Sequence, residues 1–418
     1  MSPILKVSAK PVSVLVLGGA GAMGQVVVET IQNFPSVGKV VIADLDEKRA
    51  QRAARGLSDK VSAMRADGLD HNALVDILQS YDYVISTLGP FYLFGRRVLS
   101  AAIEARTDYI DICDDWEPTL ELLELHDEAK SAGIRALIGA GASPGISNML
   151  AVKAIANLDS AHTLYTGWGA TSLTEEDEIG STADMAGTPA AAVEHWVQQF
   201  SGEITVQEDG AYVSQPPLQK HILPHPEGGR CDVYTLGHPE PVTFPRYFPS
   251  IQNSYNVMDM PDFLISIMKS LKRQIDSEEL DIRGAATYLE MITSGSGQTM
   301  RMADSARGAY HTIREVLRRK KYMPALHATA MGVSNGREEV CTVWMNGKIP
   351  GGMGSMTCIP TAVFLLMMIE GNISETGVYP PEAHADPDTF FEKLGPYIEK
   401  EEQSAPILRF SQTERSQR

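Results

Sequence analysis

Val12-Ser13-Val14-Leu15-Val16-Leu17-Gly18-Gly19-Ala20-Gly21-Ala22-Met23-Gly24 opens the stretch that decides the fold, and Val40-Val41-Ile42-Ala43-Asp44 closes it. An apolar run breaks into glycines, a helical pattern follows through Asn33, and a second apolar run ends on an acid. Strand, tight turn, helix and strand in that order predict a dinucleotide-binding βαβ unit. Gly19 allows the turn, Gly21 lets a pyrophosphate approach the backbone, and Gly24 allows the helix to pack closely on the strand. Ala20, Ala22 and Met23 complete the same cofactor loop. The phosphates would lie on the free N–H groups at the helix N-terminus, where the dipole favours negative charge. Asp44 falls about 20 residues past the last glycine, where an acid holds the adenosine ribose hydroxyls, and Leu45 stands beside it. Glycines also mark ordinary turns, so the motif alone is weak; here all its neighbours stand in order. An acid at Asp44 repels a ribose 2′-phosphate, which favours NAD. Arg49 and Arg52 soften that preference, and NADP stays open.

The chain has 418 residues, more than one core normally serves, so two domains are expected. A hydrophobic share of 43% and a charged share of 21% are ordinary for a soluble globular protein. The formal charge of −17 argues against nucleic acid and anionic membrane as partners, though a local basic pocket can sit in an acidic protein. The N-terminus lacks the layout of a signal peptide, and the longest apolar run, Ile359–Ile369, is shorter than a bilayer span. Cys113, Cys231, Cys341 and Cys358 are scattered without a CxxC pair, so neither a disulfide framework nor a metal site is indicated. The expected compartment is the cytoplasm.

After Asp44 helical and strand patterns keep alternating. Helices are predicted over Asp46–Gly56, His71–Gln79, Gly95–Ala105 and Thr119–Ala132, the last ended by Gly133. Strands are predicted over Ser62–Ala66, Tyr83–Ser86, Tyr109–Asp111 and Arg135–Ile138. Apolar strands in βαβα alternation form a parallel sheet covered on both faces, a doubly wound α/β fold of Rossmann type. Ligands on such sheets bind beyond the carboxyl ends of the strands. That rule selects Gly18–Gly24, Asp44, Asp67, Ser86–Pro90, Asp111–Asp115 and Gly139–Ser147 as one rim. Past Ser143-Pro144-Gly145 the character changes to mixed α/β. Ile146–Ala156 is predicted as a helix, Leu164–Ala170 as the start of strand-like pieces, and Thr188–Phe200 as a helix with Pro189 in its first turn. Glu203–Val206 and Ala211–Val213 read as a hairpin through Asp209-Gly210. The segment from Pro216 to Pro249, dense in proline, histidine and glycine, reads as loop. Asp262–Arg273 and Arg301–Lys321 are amphipathic helices, and Ala325–Val333 pairs with Glu338–Met345 around Asn335-Gly336. Gly351-Gly352-Met353-Gly354 precedes a buried helix, Pro360–Glu370, and the charged tail from about Glu399 reads as frayed.

The rim resembles the saccharopine dehydrogenase-like family, which includes saccharopine reductase, lysine 6-dehydrogenase and carboxyspermidine-type dehydrogenases. The matching pieces are Gly18–Gly24, Ser86-Thr87-Leu88-Gly89-Pro90-Phe91, Tyr109–Asp114 and Gly141–Asn148. Two more are Tyr234-Thr235-Leu236-Gly237-His238-Pro239-Glu240-Pro241 and Gly377–Glu382. They run over most of the chain and are far more specific than the glycine motif. The resemblance implies a discontinuous Rossmann domain, residues 1–148 plus 355–418, with a mixed α/β substrate and dimerisation domain, 149–354, inserted. It also implies a homodimer. The activity it implies is hydride transfer between a nicotinamide and a carbon–nitrogen centre of a small amino-acid, opine-like or polyamine-like substrate. The cofactor carries the hydride, so the protein has to orient the reacting carbon, move a proton and bind charged ends.

Each candidate residue has two readings. In saccharopine reductase the segment resembling Tyr109–Asp114 contacts substrate, with an acid at the position of Asp111. A carboxylate at Asp111 or Asp114 would pair with a substrate ammonium or relay a proton once burial raises its pKa; the bland reading is capping of the next helix. Cys113 belongs to the same catalytic segment, although surrounding acids suppress its thiolate and leave pocket lining as its role. Ser86, Thr87, Leu88, Gly89 and Pro90 would turn the chain under the nicotinamide ribose, or simply end a strand. Asp67 faces the adenine edge, or solvent. Ser143, Pro144 and Gly145 lead into a helix N-terminus that could receive a substrate carboxylate, or form a hinge. Tyr92 stands beside the same turn as a substrate candidate. His195 could act as an acid or base, since an unperturbed imidazole changes charge near neutral pH, though a lone helical histidine is commonly structural. His238, Glu240 and Arg246 lie in or next to a family-like segment, and an arginine fork suits a carboxylate; proline-rich packing explains the same composition.

The leading function is an NAD(P)-dependent oxidoreductase acting on a C–N bond. An epimerase-like reading needs a tyrosine followed four residues later by lysine, and this sequence has no such pair. Two other classes stay open: homospermidine synthase-like aminoalkyl transfer without net redox, and a non-catalytic nucleotide-binding regulator.

Overall fold

The computed structural model describes residues 10–169, 191–293 and 310–414, apart from 312, 313, 316, 318, 319, 401 and 403. The first run of chain realises the predicted alternation: β1 (Val12–Leu17), α1 (Ala22–Ile31), β2 (Val37–Asp44), α2 (Glu47–Ala53), β3 (Val61–Arg65), α3 (His71–Leu78), β4 (Tyr83–Ser86), α4 (Phe91–Ala105) and β5 (Asp108–Asp111). The predicted helix Thr119–Ala132 is two helices, α5 (Trp116–Leu123) and α6 (His126–Ala132), and β6 (Arg135–Leu137) follows. Next come α7 (Ile146–Ala156), β7 (Ser160–Trp168), α8 (Ala191–Gln199), β8 (Ile204–Glu208), β9 (Ala211–Gln215), β10 (Lys220–Pro224), β11 (Arg230–Leu236), α9 (Glu240–Tyr247), β12 (Asn253–Met258), α10 (Asp262–Asp276), α11 (Ile282–Thr293), β13 (Leu326–Ser334) and β14 (Arg337–Met345). The last run holds α12 (Gly352–Ile369), β15 (Gly377–Tyr379), α13 (Pro381–His384), α14 (Pro387–Leu394) and β16 (Leu408–Glu414).

The chain divides into two compact units: residues up to Gly145 with Gly354–Tyr397, and Ile146–Met353 with the segment from Ile398 on. The expected boundary of 355–418 for the returning segment is therefore corrected at its far end. Among its described residues, the tail from Glu399 to Glu414 is not frayed. Glu399 exchanges backbone hydrogen bonds with Lys348 at 2.8 and 3.0 Å, and β16 pairs antiparallel with β14 from Met345↔Leu408 to Glu339↔Glu414. The strand is mostly exposed, so no apolar alternation announced it; the backbone ladder holds it.

In the first unit all seven strands are parallel, in the order β15-β6-β5-β4-β1-β2-β3. The strand order reverses between β1 and β4, the place where such sheets bind ligands. Val14, Leu15, Val16, Val84 and Ile85 are fully buried, as apolar strands covered on both faces must be. Asp46 and Asp70 cap α2 and α3 through Arg49 N (3.0 Å) and Ala73 N (3.1 Å). The helix expected from Pro360 starts earlier, at Gly352, because its small first residues carry no apolar pattern. By length and composition α12 matches a membrane span, with a mean hydropathy of 1.7 over 18 residues. It is a core helix here: Phe364 stacks on Phe390 at 4.5 Å and Thr361 donates to the carbonyl of Ala140 at 2.9 Å.

The second unit is built on one mixed sheet in the order β10-β11-β12-β7-β13-β14-β16, with β8 paired to β12 and β9 to β8. The predicted loop from Pro216 to Pro249 in fact contains β10, β11 and α9. Its prolines fall in turns, at strand ends or, for Pro241, in the first turn of α9, where a missing N–H is tolerated; only Pro245 lies inside the helix, and together they concealed the strands between them. Both predicted hairpins form. Asp209 and Gly210 have φ of 47° and 79°, and Asn335 and Gly336 have φ of 51° and 73°, the left-handed pair that a two-residue turn needs. One apolar layer joins Val197, Phe200, Leu236, Met258, Met268, Leu271 and Leu289. The predicted helix Arg301–Lys321 lies mostly outside the described residues, as does the start of Thr188–Phe200 with Pro189.

Candidate active site

The glycine loop joins β1 to α1 at the carboxyl edge of the first sheet. A Cβ at Gly24 would stand 2.5 Å from both the Gly18 carbonyl oxygen and the Gly19 Cα; one at Gly19 would stand 2.7 Å from the Val16 carbonyl oxygen. Gly21 occupies the N-cap of α1 and has no side chain to occupy the first-turn amides. This is a cradle that only small residues can form, with helix N–H groups turned to its mouth. It fits the diphosphate of a dinucleotide. Ala20 is buried, Met23 is half-buried, and Ala22 is exposed.

Thr87 continues β4 at the same edge. Its N–H and its hydroxyl both donate to the Leu17 carbonyl, each at 2.9 Å, which ties the turn Ser86-Thr87-Leu88-Gly89-Pro90 to the glycine loop. Ser86 is buried, whereas Gly89 and Pro90 are exposed. Tyr92 is also exposed, on the first turn of α4. At the far side of the cradle Asp44 ends β2, and its carboxylate accepts the N–H of Asp46 at 3.1 Å. Leu45 follows it, 58% exposed. Asp67 accepts the N–H of Leu69 at 3.0 Å. The structure thus brings the predicted cofactor residues Gly19–Gly24, Asp44, Leu45, Asp67 and Ser86–Pro90 to one edge of one sheet.

Asp111 is placed differently from the expectation of a group poised for substrate. It is fully buried. One oxygen accepts the N–H groups of Cys113 (3.0 Å) and Gly139 (2.7 Å), and the other accepts the Tyr109 hydroxyl (2.9 Å). The Ala140 N–H donates to its backbone carbonyl at 2.8 Å. Burial pushes its carboxyl up to about 6, against the pull of the three donors. Asp111 therefore anchors the loop Gly139–Gly145. That loop is tight: a Cβ at Gly145, whose φ is 127°, would stand 1.9 Å from the Gly141 carbonyl oxygen. Ser143 is buried in it, and the Ser143–Pro144 peptide is cis. Cys113 belongs to the core of the first unit. Burial first, and then the Asp111 and Asp115 charges, push its thiol well above the ordinary range. An enclosed, protonated thiol is a packing group, which corrects its place among the catalytic candidates. Asp114, the next residue, is half-buried.

In the second unit a buried polar group surrounds His238 and Glu240, both under 4% exposed in their side chains. Ser147 donates to one Glu240 oxygen at 2.8 Å, and the other lies 3.4 Å from Nδ1 of His238. The Trp168 indole lies 6.2 Å from the imidazole, centre to centre. Arg246 is exposed at the other end of α9, where its Nε donates to the Val242 carbonyl of its own helix, so it does not join the pair. His195 Nε2 meets the Gln199 amide on its own helix at 2.8 Å.

The family model for the saccharopine dehydrogenase NADP binding domain matches residues 14–137, the run from β1 to β6. Carboxyaminopropylagmatine dehydrogenase of a Synechocystis species is 22% identical over 408 residues, covering 90% of this chain and 94% of that protein. The NADP(+), L-glutamate-forming saccharopine dehydrogenase of Saccharomyces cerevisiae is 32% identical over 141 residues, 34% of this chain and 30% of that enzyme. Among solved structures, the apo L-Glu-forming saccharopine dehydrogenase of Saccharomyces cerevisiae superposes with a TM-score of 0.59 at 16% identity, over 96% of this chain and 100% of that one. Residues 14–137 are thus similar to the NADP-binding domain of saccharopine dehydrogenases. The whole chain shares the saccharopine dehydrogenase fold, a Rossmann-type unit and a second, mixed sheet.

Sequence reasoning missed two residues at the described sites, Trp168 and Arg65. Trp168 closes β7 and meets His238 only through the fold of the second unit, so no local spacing signals it; Ser147, at the start of α7, stood on the predicted rim, but its partner Glu240 lies 93 residues further on. Arg65 ends β3 beside Asp44 (the two are cross-strand partners). Its signal was available: a basic residue closing the strand next to the one that carries the ribose acid.

Proposed function

We propose that the protein moves a hydride between a nicotinamide dinucleotide, NAD in preference to NADP, and the carbon–nitrogen centre of a small amino-acid or polyamine-like molecule. The observation that carries the reading is the cradle of Gly19, Gly21 and Gly24 with Asp44 at the end of the neighbouring strand. The nicotinamide supplies or takes the hydride. The chain holds the diphosphate at the N-terminus of α1, the ribose hydroxyls at Asp44 and the turn after β4 against the glycine loop. In the oxidative direction the carbon gives up a hydride and the amine a proton. The buried Ser147–Glu240–His238 group is the polar centre of the second unit that we assign to positioning the substrate side. The polyamine-like class is favoured by carboxyaminopropylagmatine dehydrogenase, which aligns over 94% of its own length.

The test follows nicotinamide absorbance with NADH or NAD and a panel of diamines, agmatine-like guanidines, amino acids and keto acids. A net change with an amine substrate is expected. Product without net change would replace this reading by aminoalkyl transfer, and cofactor binding without any product by a regulator. Replacing Asp44 by alanine removes a charged acceptor, so NADH binding should weaken about ten- to hundredfold while NADPH binding holds. Equal losses for both in a fluorescence titration would remove Asp44 from the site.

A further inference from the structure

Asp44 and Arg65 close adjacent parallel strands as cross-strand partners, and the Ala66 N–H donates to the Asp44 carbonyl at 2.9 Å, which fixes that register to the strand ends. Register partners on parallel strands point to the same face. An acid and a guanidinium therefore stand side by side where the adenosine ribose of a dinucleotide would lie. Leu45 and Leu69, 58% and 49% exposed, border the same edge and offer apolar surface to an adenine. The guanidinium is loosely held: it is 59% exposed, and its contact with Asp67 is 4.0 Å long. Lys48, Arg49 and Arg52, the cations that follow Asp44 in sequence, sit instead on α2, whose cap Asp46 provides.

We propose that Arg65 is the residue that admits NADP to this site, so that the chain uses both cofactors and Arg65 sets their ratio. With NAD bound, Asp44 receives the 2′-hydroxyl and Arg65 stays with Asp67. With NADP bound, Arg65 leaves Asp67 and forks onto the 2′-phosphate, masking that group from Asp44. An exposed pair at such a distance contributes little and is given up easily, whereas a guanidinium–phosphate contact is charge-assisted and bidentate. The proposal rests on the dinucleotide reading of the first unit.

The experiment is calorimetric titration of the full chain with NADH and with NADPH, for the natural protein, Arg65→Ala and Asp67→Asn. Arg65→Ala should weaken NADPH about ten- to hundredfold and leave NADH within about twofold. Asp67→Asn should tighten NADPH by freeing the guanidinium. NADPH binding by the natural protein should weaken with added salt more steeply than by Arg65→Ala. Natural protein that binds NADH but never NADPH, or an Arg65→Ala change equal for both, overturns the proposal while leaving the dinucleotide site standing. Natural protein that binds neither overturns the site itself, and the proposal with it.

Discussion

Replacing Asp111 by alanine is expected to cost about 3–5 kcal/mol of unfolding free energy, because two buried N–H groups and a buried hydroxyl lose their acceptor together. Asp111→Asn should behave differently. Its amide oxygen can accept from Cys113 and Gly139 as the carboxylate does, and its amide can donate to the Tyr109 oxygen. The two variants separate shape from charge. The charge itself has a pH signature. Burial raises the carboxyl from 3.8 to about 6, so the folded protein holds this proton more tightly than the unfolded chain. The resulting stabilisation is complete below the unfolded pKa and disappears as pH climbs through about 6. Two pH units correspond to roughly 3 kcal/mol. In urea unfolding from acid to neutral pH, natural protein should lose stability relative to Asp111→Asn by that order and level off above the folded pKa. A pH-independent difference between the two would show that the carboxyl titrates at its ordinary value.

Gly24→Ala should produce the second large effect, this time on cofactor binding. The added methyl meets Gly18 and Gly19 at 2.5 Å, and both contacts are backbone, so no side chain can swing aside. Either α1 retreats from β1 or the glycine loop moves, and the amides at the cradle move with it. Overpacking of this kind costs about 1–3 kcal/mol, or about ten- to hundredfold in NADH affinity. Gly21→Ala is the milder companion, since its Cβ would clear the nearest atom, the Gly18 carbonyl oxygen, by 3.1 Å. Fluorescence titration should rank natural protein, Gly21→Ala and Gly24→Ala in that order; full affinity in Gly24→Ala would mean that the loop does not carry the diphosphate.

What could be read before the structure was whatever local physics records. Val14 to Leu17, Val40 to Ala43 and Val84 to Ile85 are apolar because both sheet faces are covered, and the glycines between elements are there because a Cβ would collide. Asp209-Gly210 and Asn335-Gly336 announced their turns through the left-handed backbone they adopt. What stayed hidden depends on distant partners. β16 is a polar strand whose place comes from pairing with β14, and β10 ends at Pro224 on the margin of its sheet. Asp111 was recognisable as important, but of its three donors only Gly139, 28 residues on, ties it to the loop, so its role as an anchor was not. Ser147 and Glu240 are 93 residues apart in sequence and 2.8 Å apart in space.

The path of the backbone between the two units carries a consequence for biosynthesis. β15 finishes one sheet and β16 the other, yet both are encoded after α12. A nascent chain leaving the ribosome therefore holds two unfinished sheets at once, with β6 and β14 each presenting bare amides and carbonyls. Such margins invite pairing with the wrong molecule. Productive maturation thus depends on the late arrival of residues 377–379 and 408–414, and a truncation before Leu408 should surface first as aggregation during expression.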